Sequence, residues 1–482
     1  MALHAERAKS IEVPLRQELS FPYHSERRQC SVPTFIPHTE AETSQMLADL
    51  GLKEIDEIFA TIPRERRLGR GLNLPDGVSE YDVLTYFEEV SARNLHHGRP
   101  LISFAGGGSY DHDIPQVVRT LGSRGEFVTA YTPYQPEVAQ GVLQALFEFQ
   151  TLISRLSGLE ISNASLYDGA TALVEAVNLA CAHTRSHHVI VSKGINPTYL
   201  QTVRTFAEGT GLSVEELPLN DDLSSDLSIE TASQAAAVVV GYPNYFGAVE
   251  DLARARELAN RTGALLICVY DPISLALLTS PGSFGVDVAV AEGQSLGTPV
   301  SFGGPYLGLF SVRPEYLRLV PGRLVGETVD AEGRRSFVTT LRTREQDIRR
   351  ERASSNVCTN QTLMAVHACI YLSWLGPDGF RELATSCLSS SHYLADALST
   401  IPGVELVTPV FVREFTIRLT GIDNEAVRSA LADRGFLAGV SGEFPSGDLK
   451  ASNTLILSAT ERRTKSEIDR FVGEFSKIVE AR

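Results

Sequence analysis

The sequence predicts an α/β fold in which a large domain with a mostly parallel, helix-covered sheet precedes a small C-terminal α+β domain. Three observations carry that reading. First, apolar, β-branched runs at residues 188–192, 235–241, 264–270 and 286–291 alternate with helical stretches at 199–208 and 251–262. Strands separated by helices run parallel, because each helix returns the chain to the same end of the sheet. Second, residues 136–156 form a strong amphipathic pattern, with Val138, Val142, Ala145, Phe149, Leu152 and Leu156 at helical spacing. Third, the pattern changes towards the C-terminus. A helix at 391–399 leads to strands at 404–407 and 414–419, a helix at 424–434, a strand at 454–457 and a final helix from Lys465. That order suits a split βαβ unit.

Taken in order, residues 1–32 carry Glu6, Glu12, Glu18 and Glu26 and no apolar core. They read as a flexible extension rather than a secretory or transit peptide. Residues 33–100 read as a helical N-terminal segment. A helix at 39–49 opens with Thr39-Glu-Ala-Glu42, whose first and last residues can cap each other. A second piece at 55–62 stops before Pro63, and an acidic helix at 78–95 follows the turn Pro75-Asp-Gly77. The large domain spans 101–375. Within it Gly106-Gly-Gly108 marks a loop, Pro136 suits the first position of a helix and Gly158 closes it. A connecting helix at 360–375 leads to the small domain, 376–482.

A chain of 482 residues exceeds what one compact core holds. Its net charge of -16 argues against a nucleic-acid partner and an anionic membrane surface, both of which need a cationic footprint. No apolar stretch reaches membrane-spanning length. Cys30, Cys181, Cys268, Cys358, Cys369 and Cys387 are scattered without a CxxC or Cys/His cluster. Free thiols, no metal site and a reducing cytoplasm are the expectation.

The chemistry concentrates at strand ends. The strand at 264–270 delivers Asp271, and the strand at 286–291 ends in Glu292-Gly-Gln294 followed by the glycine-rich stretch 301–308. In pyridoxal-phosphate enzymes of the aminotransferase type, such an aspartate pairs with the pyridinium nitrogen and the following strand delivers the Schiff-base lysine. Here Gln294 stands where that lysine is expected, and an amide is neither basic nor nucleophilic. Asp168-Gly-Ala-Thr171 enters an apolar helix, where Asp168 and Thr171 fit either an anion-binding helix start or a plain N-cap. Asp271 likewise fits either a cofactor partner or a carboxylate capping the next turn. Tyr110, His112, Tyr131, Tyr134 and Gln135 form an aromatic, polar constellation in loops, as a pocket or as packing at an interface. The stretch 334–352 holds seven arginines interleaved with Glu345, Asp347 and Glu351, which fits a salt-bridged surface or recognition of an acidic partner.

Several stretches together resemble the P-protein of the glycine cleavage system, and within it the N-terminal half that many bacteria make as a separate subunit. They are Phe35-Ile-Pro-His-Thr39, Ser109-Tyr-Asp-His112, Phe127-Val-Thr-Ala-Tyr-Thr-Pro-Tyr-Gln-Pro-Glu137 and Asn163-Ala-Ser-Leu-Tyr-Asp-Gly-Ala-Thr-Ala172. Further along come Gly293-Gln-Ser-Leu-Gly297, Ser301-Phe-Gly-Gly-Pro-Tyr306, Pro321-Gly-Arg-Leu-Val-Gly326, Thr343-Arg-Glu-Gln346 and Ser355-Asn-Val-Cys-Thr-Asn-Gln361. The resemblance runs from about residue 33 to near the C-terminus. It implies an aminotransferase-like (fold type I) large domain and a role in glycine decarboxylation. It also implies pyridoxal phosphate held covalently by a lysine-bearing partner subunit, lipoylated H-protein as a second partner, and a heterotetramer with two copies of each subunit. A catalytically inert scaffold or regulatory relative is the alternative. An independent pyridoxal-phosphate enzyme would need another lysine, but Lys193 precedes Asp271, and between Asp271 and Thr464 the sequence offers Lys450 alone.

Overall fold

The β-branched runs become the middle of a seven-stranded sheet. The structure, a computed structural model, describes residues 37–74, 77–94, 101–129, 131–229, 234–353, 355–357, 359–442 and 449–481. The extension at 1–32, the start of the Phe35 motif, the first two residues of the Pro75 turn, Cys30 and Cys358 lie outside them. The chain divides into two units, Met1–Phe87 and Glu88–Arg482.

In the first unit, helix α1 (Glu40–Asp49) opens with the expected reciprocal cap: Glu42 N–H donates to Thr39 Oγ1 at 3.3 Å and Thr39 N–H to Glu42 Oε2 at 2.7 Å. The next helix is only Ile55–Ile58, because the residue before Pro63 is barred from helical backbone and residues 59–62 turn instead. Helix α2 spans Glu80–Ser91 rather than 78–95, starting where the Ser79 hydroxyl accepts the Asp82 N–H at 3.2 Å. Leu47 alone is buried among the described residues of this unit.

The second unit is built on strands β1 (Ile161–Ser162), β2 (His188–Ser192), β3 (Ser213–Leu217), β4 (Ala237–Tyr242), β5 (Leu265–Tyr270), β6 (Val288–Glu292) and β7 (Gly308–Val312). Their order across the sheet is β1-β7-β6-β5-β4-β2-β3, parallel from β6 to β3, with β7 antiparallel to both of its neighbours, β6 and β1. Alternate residues serve two cores. Val238, Val240, Leu266 and Cys268 face one side with helices α3 (Gln140–Ser157) and α6 (Leu252–Thr262). Ala237, Val239, Leu265 and Ile267 face the other with helices α4 (Gly169–Thr184) and α5 (Pro197–Thr210). Each cap is local chemistry: Asp168, Asn196 and Asp251 accept the first free N–H groups of their helices, and Gly158 ends α3 in left-handed backbone.

One expectation is corrected here. Pro136 opens a separate 3-10 turn, Pro136–Val138, and α3 begins only at Gln140, so Val138 is exposed instead of lying on the apolar face. A hairpin of β8 (Leu324–Val329) and β9 (Arg335–Thr340) follows the sheet.

Helix α7 (Thr362–Ser399) connects the domains and breaks at Gly376, which takes φ 60° ahead of Pro377. The small domain holds β10 (Val404–Leu406), β11 (Glu414–Leu419), β12 (Val440–Ser441) and β13 (Thr454–Ser458), ordered β10-β11-β13-β12 with antiparallel neighbours. Helix α8 (Asn424–Ala432) crosses from β11 to β12 with β13 between them, the split βαβ arrangement. Helix α9 (Lys465–Glu480) closes the domain under a Thr464–Glu467 capping box. A segment expected with the large domain belongs to this core instead: Ile102–Ser103 pairs with Phe436–Leu437 in parallel, and the Phe104 ring stacks on Phe471 at 4.3 Å. Phe104→Ala is expected to destabilise the small domain by about 3–5 kcal/mol, the usual cost of a fully buried ring. Hydrogen exchange should show protection lost in β13 and kept in β5. Equal loss in both strands would show that the domains unfold as one.

Candidate functional site

Parallel strands place their carboxyl ends at one edge, and the residues there define the site. Asp271 follows β5, Glu292 ends β6 and Gln294 lies two residues on; the N-terminus of α4 faces them. The small domain contributes Arg413 and Glu414 at the start of β11, and the loop 106–113 crosses between. Tyr110, Asp271, Glu292, Gln294, Arg413 and Glu414 line one cavity.

The groups at these strand ends already have partners within the chain. Gln294 is buried. Its Oε1 accepts the Tyr110 N–H at 3.0 Å, while its Nε2 donates to the Tyr110 carbonyl at 3.1 Å and to the Thr298 carbonyl at 2.7 Å. The amide therefore pairs with Tyr110 as a strand neighbour would, using a donor and an acceptor that lysine does not combine. Asp271 Oδ2 accepts from the Ser274 N–H at 3.2 Å and hydroxyl at 2.5 Å, which realises the turn-capping reading, and Oδ1 pairs with the buried Arg413 guanidinium. Asp168 caps α4, its carboxylate accepting the Thr171 N–H at 2.7 Å. The free amide of Gly169 donates not to a phosphate but to Glu292 Oε2 at 2.9 Å. Pyridoxal phosphate does not fit these residues.

The loop 106–113 is tied down along its length. Glu414 accepts the Gly107 N–H at 2.5 Å and the Tyr110 hydroxyl at 2.8 Å. A Cβ on Gly106 would strike the same carboxylate, so the loop needs glycine there. The Arg413 guanidinium lies 3.5 Å from the centre of the Tyr110 ring and donates to His112 Nε2. His112 Nδ1 meets Glu461 Oε2 at 2.7 Å, and Asp113 N–H donates to Glu461 Oε1 at 2.6 Å. Burial, then the charge of Arg413, lowers the His112 pKa. The ring is thus neutral, with its proton on Nδ1 and Nε2 free to accept from Arg413. Burial alone would raise Glu461, but the His112 hydrogen bond and the Asp113 N–H help hold it at about 2. Cys387 Sγ lies 3.4 Å from Glu461, so Cys387, His112 and Glu461 are grouped. Hydrogen bonds account for that grouping, and the Arg413 cation against His112 opposes a second cation there.

The constellation expected from sequence divides in two. Tyr110 and His112 are buried at this site. Tyr131 and Tyr134 are 83% and 53% exposed and Gln135 is exposed, on a separate surface. There the Tyr134 ring lies 5.4 Å from the Arg323 guanidinium and 5.1 Å from that of Arg342. Three arginines of the arginine-rich stretch form surface salt bridges: Arg334 pairs with Asp330 and Glu332, Arg335 with Glu327 and Arg342 with Asp347. Arg344 is buried and donates to the Val320, Gly322 and Leu341 carbonyls. Lys193 ends β2, which β5 and β4 separate from β6, and Lys450 bonds the Leu219 carbonyl at 2.7 Å. Neither stands in for the missing lysine. Sequence reasoning missed Glu292, Arg413, Glu414 and Glu461, though a carboxylate ending an apolar strand and an Arg-Glu pair opening another were visible signals.

The sheet order and its strand-end site define the class, the fold type I of pyridoxal-phosphate-dependent enzymes. A sphingosine-1-phosphate lyase from Burkholderia pseudomallei shares this fold, with a TM-score of 0.62 at 14% identity over 87% of this chain and 94% of its own. A solved glycine decarboxylase (P-protein) of the glycine cleavage system, in inhibitor-bound form, superposes with a TM-score of 0.85 at 44% identity, covering 92% of this chain and 100% of that one. The family model described as glycine cleavage system P-protein matches residues 33–475. The probable glycine dehydrogenase (decarboxylating) subunit 1 of Moorella thermoacetica is 46% identical over 92% of this chain and 100% of its own length. That of Desulforamulus reducens is 43% identical over 92% and 99%. The chain belongs to the glycine cleavage system P-protein family.

Two carboxyls give the site a pH dependence. Burial pushes Glu414 up to about 7 and Glu292 up to about 8, against the N–H and O–H groups that donate to them. Both values lie above the ordinary 4.5, so between these limits the folded chain holds protons that the unfolded chain has released. Their contribution to stability is complete below the ordinary value and is lost as pH rises through 7 to 8. Urea midpoints are expected to fall from about pH 5 to about pH 9, and Glu414→Gln to flatten the part of the slope near neutrality. A midpoint that rises across this interval would contradict both assignments.

Proposed function

We propose that this chain is the lysine-free subunit of a glycine decarboxylase of the glycine cleavage system, acting in the cytoplasm as two copies with two copies of a lysine-bearing partner. The observation that carries this is the missing lysine: the chain aligns with its relatives over their whole length, yet Gln294 is bonded to Tyr110 and Asp271 is paired with Arg413. Pyridoxal phosphate would be held covalently by the partner and would supply the electron sink for decarboxylation there. Glycine would lose CO2 on that subunit, and the aminomethyl group would pass to one sulfur of the oxidised lipoyl disulfide of H-protein, the other sulfur leaving as a thiol. No covalent step falls to this chain.

What the chain offers is positioned surface. Tyr131 and Gln135 point outward, Phe302 is 90% exposed in the glycine-rich stretch after Gln294, and the loops carrying them spring from ordered sheet and helix. The unit Met1–Phe87 leaves Leu50, Leu68, Leu72, Leu74 and Tyr81 more than half exposed, which supports packing against another chain. On this reading the chain shapes the channel to the partner's site and stabilises the assembly.

Titrating the chain into its lysine-bearing partner should raise glycine–bicarbonate exchange to a plateau at equal amounts, with sedimentation showing a single larger species. A partner fully active alone, or one with no affinity for this chain, would overturn the proposal. In the assembled enzyme, the double change Tyr131→Ala and Phe302→Ala should lower kcat/KM by roughly tenfold, about 1.4 kcal/mol of transition-state stabilisation. The melting temperature of the free chain should not move, since neither side chain is buried.

A further inference from the structure

The geometry points to Glu292 as a built-in ligand of the α4 cup: its carboxyl stands where a cofactor phosphate would bind and, with Arg413 on Asp271, closes the pocket to pyridoxal phosphate whether or not position 294 holds a lysine. This inference does not depend on the assembly proposed above.

Three backbone donors converge on that carboxyl. Gly169 N–H, the first of α4, reaches Oε2 at 2.9 Å, while Leu307 and Gln294 N–H reach Oε1 at 2.8 and 3.0 Å. Such convergence at the start of a sixteen-residue helix is the chemistry of an oxyanion site, and here the anion-shaped group is covalently part of the chain. Glu292 lines the cavity, so the group faces the space a ligand would enter. A Cβ on Gly169 would strike the Tyr199 hydroxyl, so glycine lets the amide reach the cup. Across the cavity a second internal ion completes the closure. Asp271, the group that would meet a pyridinium nitrogen, already holds the Arg413 guanidinium. A cofactor therefore competes with a carboxyl and a guanidinium that are present at very high effective concentration. Restoring the lysine removes neither.

Vacating the cup should expose it. In the full chain, Glu292→Ala leaves three donors around a carboxyl-sized space, and the melting temperature is expected to drop by roughly 5 °C. Formate or inorganic phosphate should recover at least half of that loss relative to chloride at equal ionic strength, while the unsubstituted chain should not respond. A variant indifferent to both anions, or an unsubstituted chain stabilised equally by phosphate, would overturn the assignment. A second measurement holds if the alanine variant fails to fold. Gln294→Lys alone, incubated with pyridoxal phosphate and reduced with borohydride, should carry no pyridoxyl mass at position 294. Stoichiometric labelling there would show that the pocket is open and the inference wrong.

Discussion

The buried guanidinium of Arg413 is the constraint on which the arrangement of this protein depends. Moving such a cation out of water costs several kcal/mol unless charge and hydrogen bonds replace its hydration. Here the replacement comes from three parts of the chain: Asp271 at the end of β5, His112 from the loop 106–113, and the face of the Tyr110 ring. Arg413 itself belongs to the small domain. One charge thereby fixes the small domain against the large sheet and the loop against both. The requirement propagates outward. His112 must stay neutral to accept from Arg413, so its proton sits on Nδ1, and Glu461 must be ionised to receive it.

The neighbouring Glu414 works differently. It is buried beside Arg413 but satisfies the loop, taking the Gly107 amide and the Tyr110 hydroxyl. Adjacent residues on a strand point to opposite faces, so Arg413 and Glu414 reach the loop from different directions. Gln294 holds the same loop from the large domain through the Tyr110 backbone. A segment bridging two domains is thus held by cation, carboxyl and amide at once.

Much of this was legible in the sequence, and the remainder was hidden for physical reasons. Asp271 and Gln294 stood out because β5 and β6 are apolar runs that end abruptly, and the Thr39 and Asp168 caps are local patterns. Strand β3, with its Val-Glu-Glu, and strand β7, beginning at Gly308, lack the β-branched run that marks a central strand; β3 sits at an edge. The partners Arg413, Glu414 and Glu461 lie roughly three hundred residues from the loop they hold, and no spacing rule links them. Tyr110 and Tyr131 looked alike as loop tyrosines flanked by Gly or Pro. Which faces inward depends on those distant partners, so the sequence alone could not separate them.

The internal contacts also account for how the strand-end groups are satisfied without a cofactor. A cofactor site emptied of its cofactor exposes a helix-terminal amide, a strand-end carboxylate and the backbone of a crossing loop, each costly to leave unpaired in a partly dry cleft. Water could satisfy them, but a cleft wide enough for water would leave the domains loosely registered. Internal ligands satisfy the same groups and transmit the fit: Glu292 on the Gly169 amide, Arg413 on Asp271, Gln294 on Tyr110. On the inference above, each internal ligand resembles the group it keeps out: a carboxyl in place of a phosphate and a guanidinium in place of a pyridinium. Because each satisfies a different group, reopening the pocket requires removing them together, and any one left in place keeps part of the site occupied.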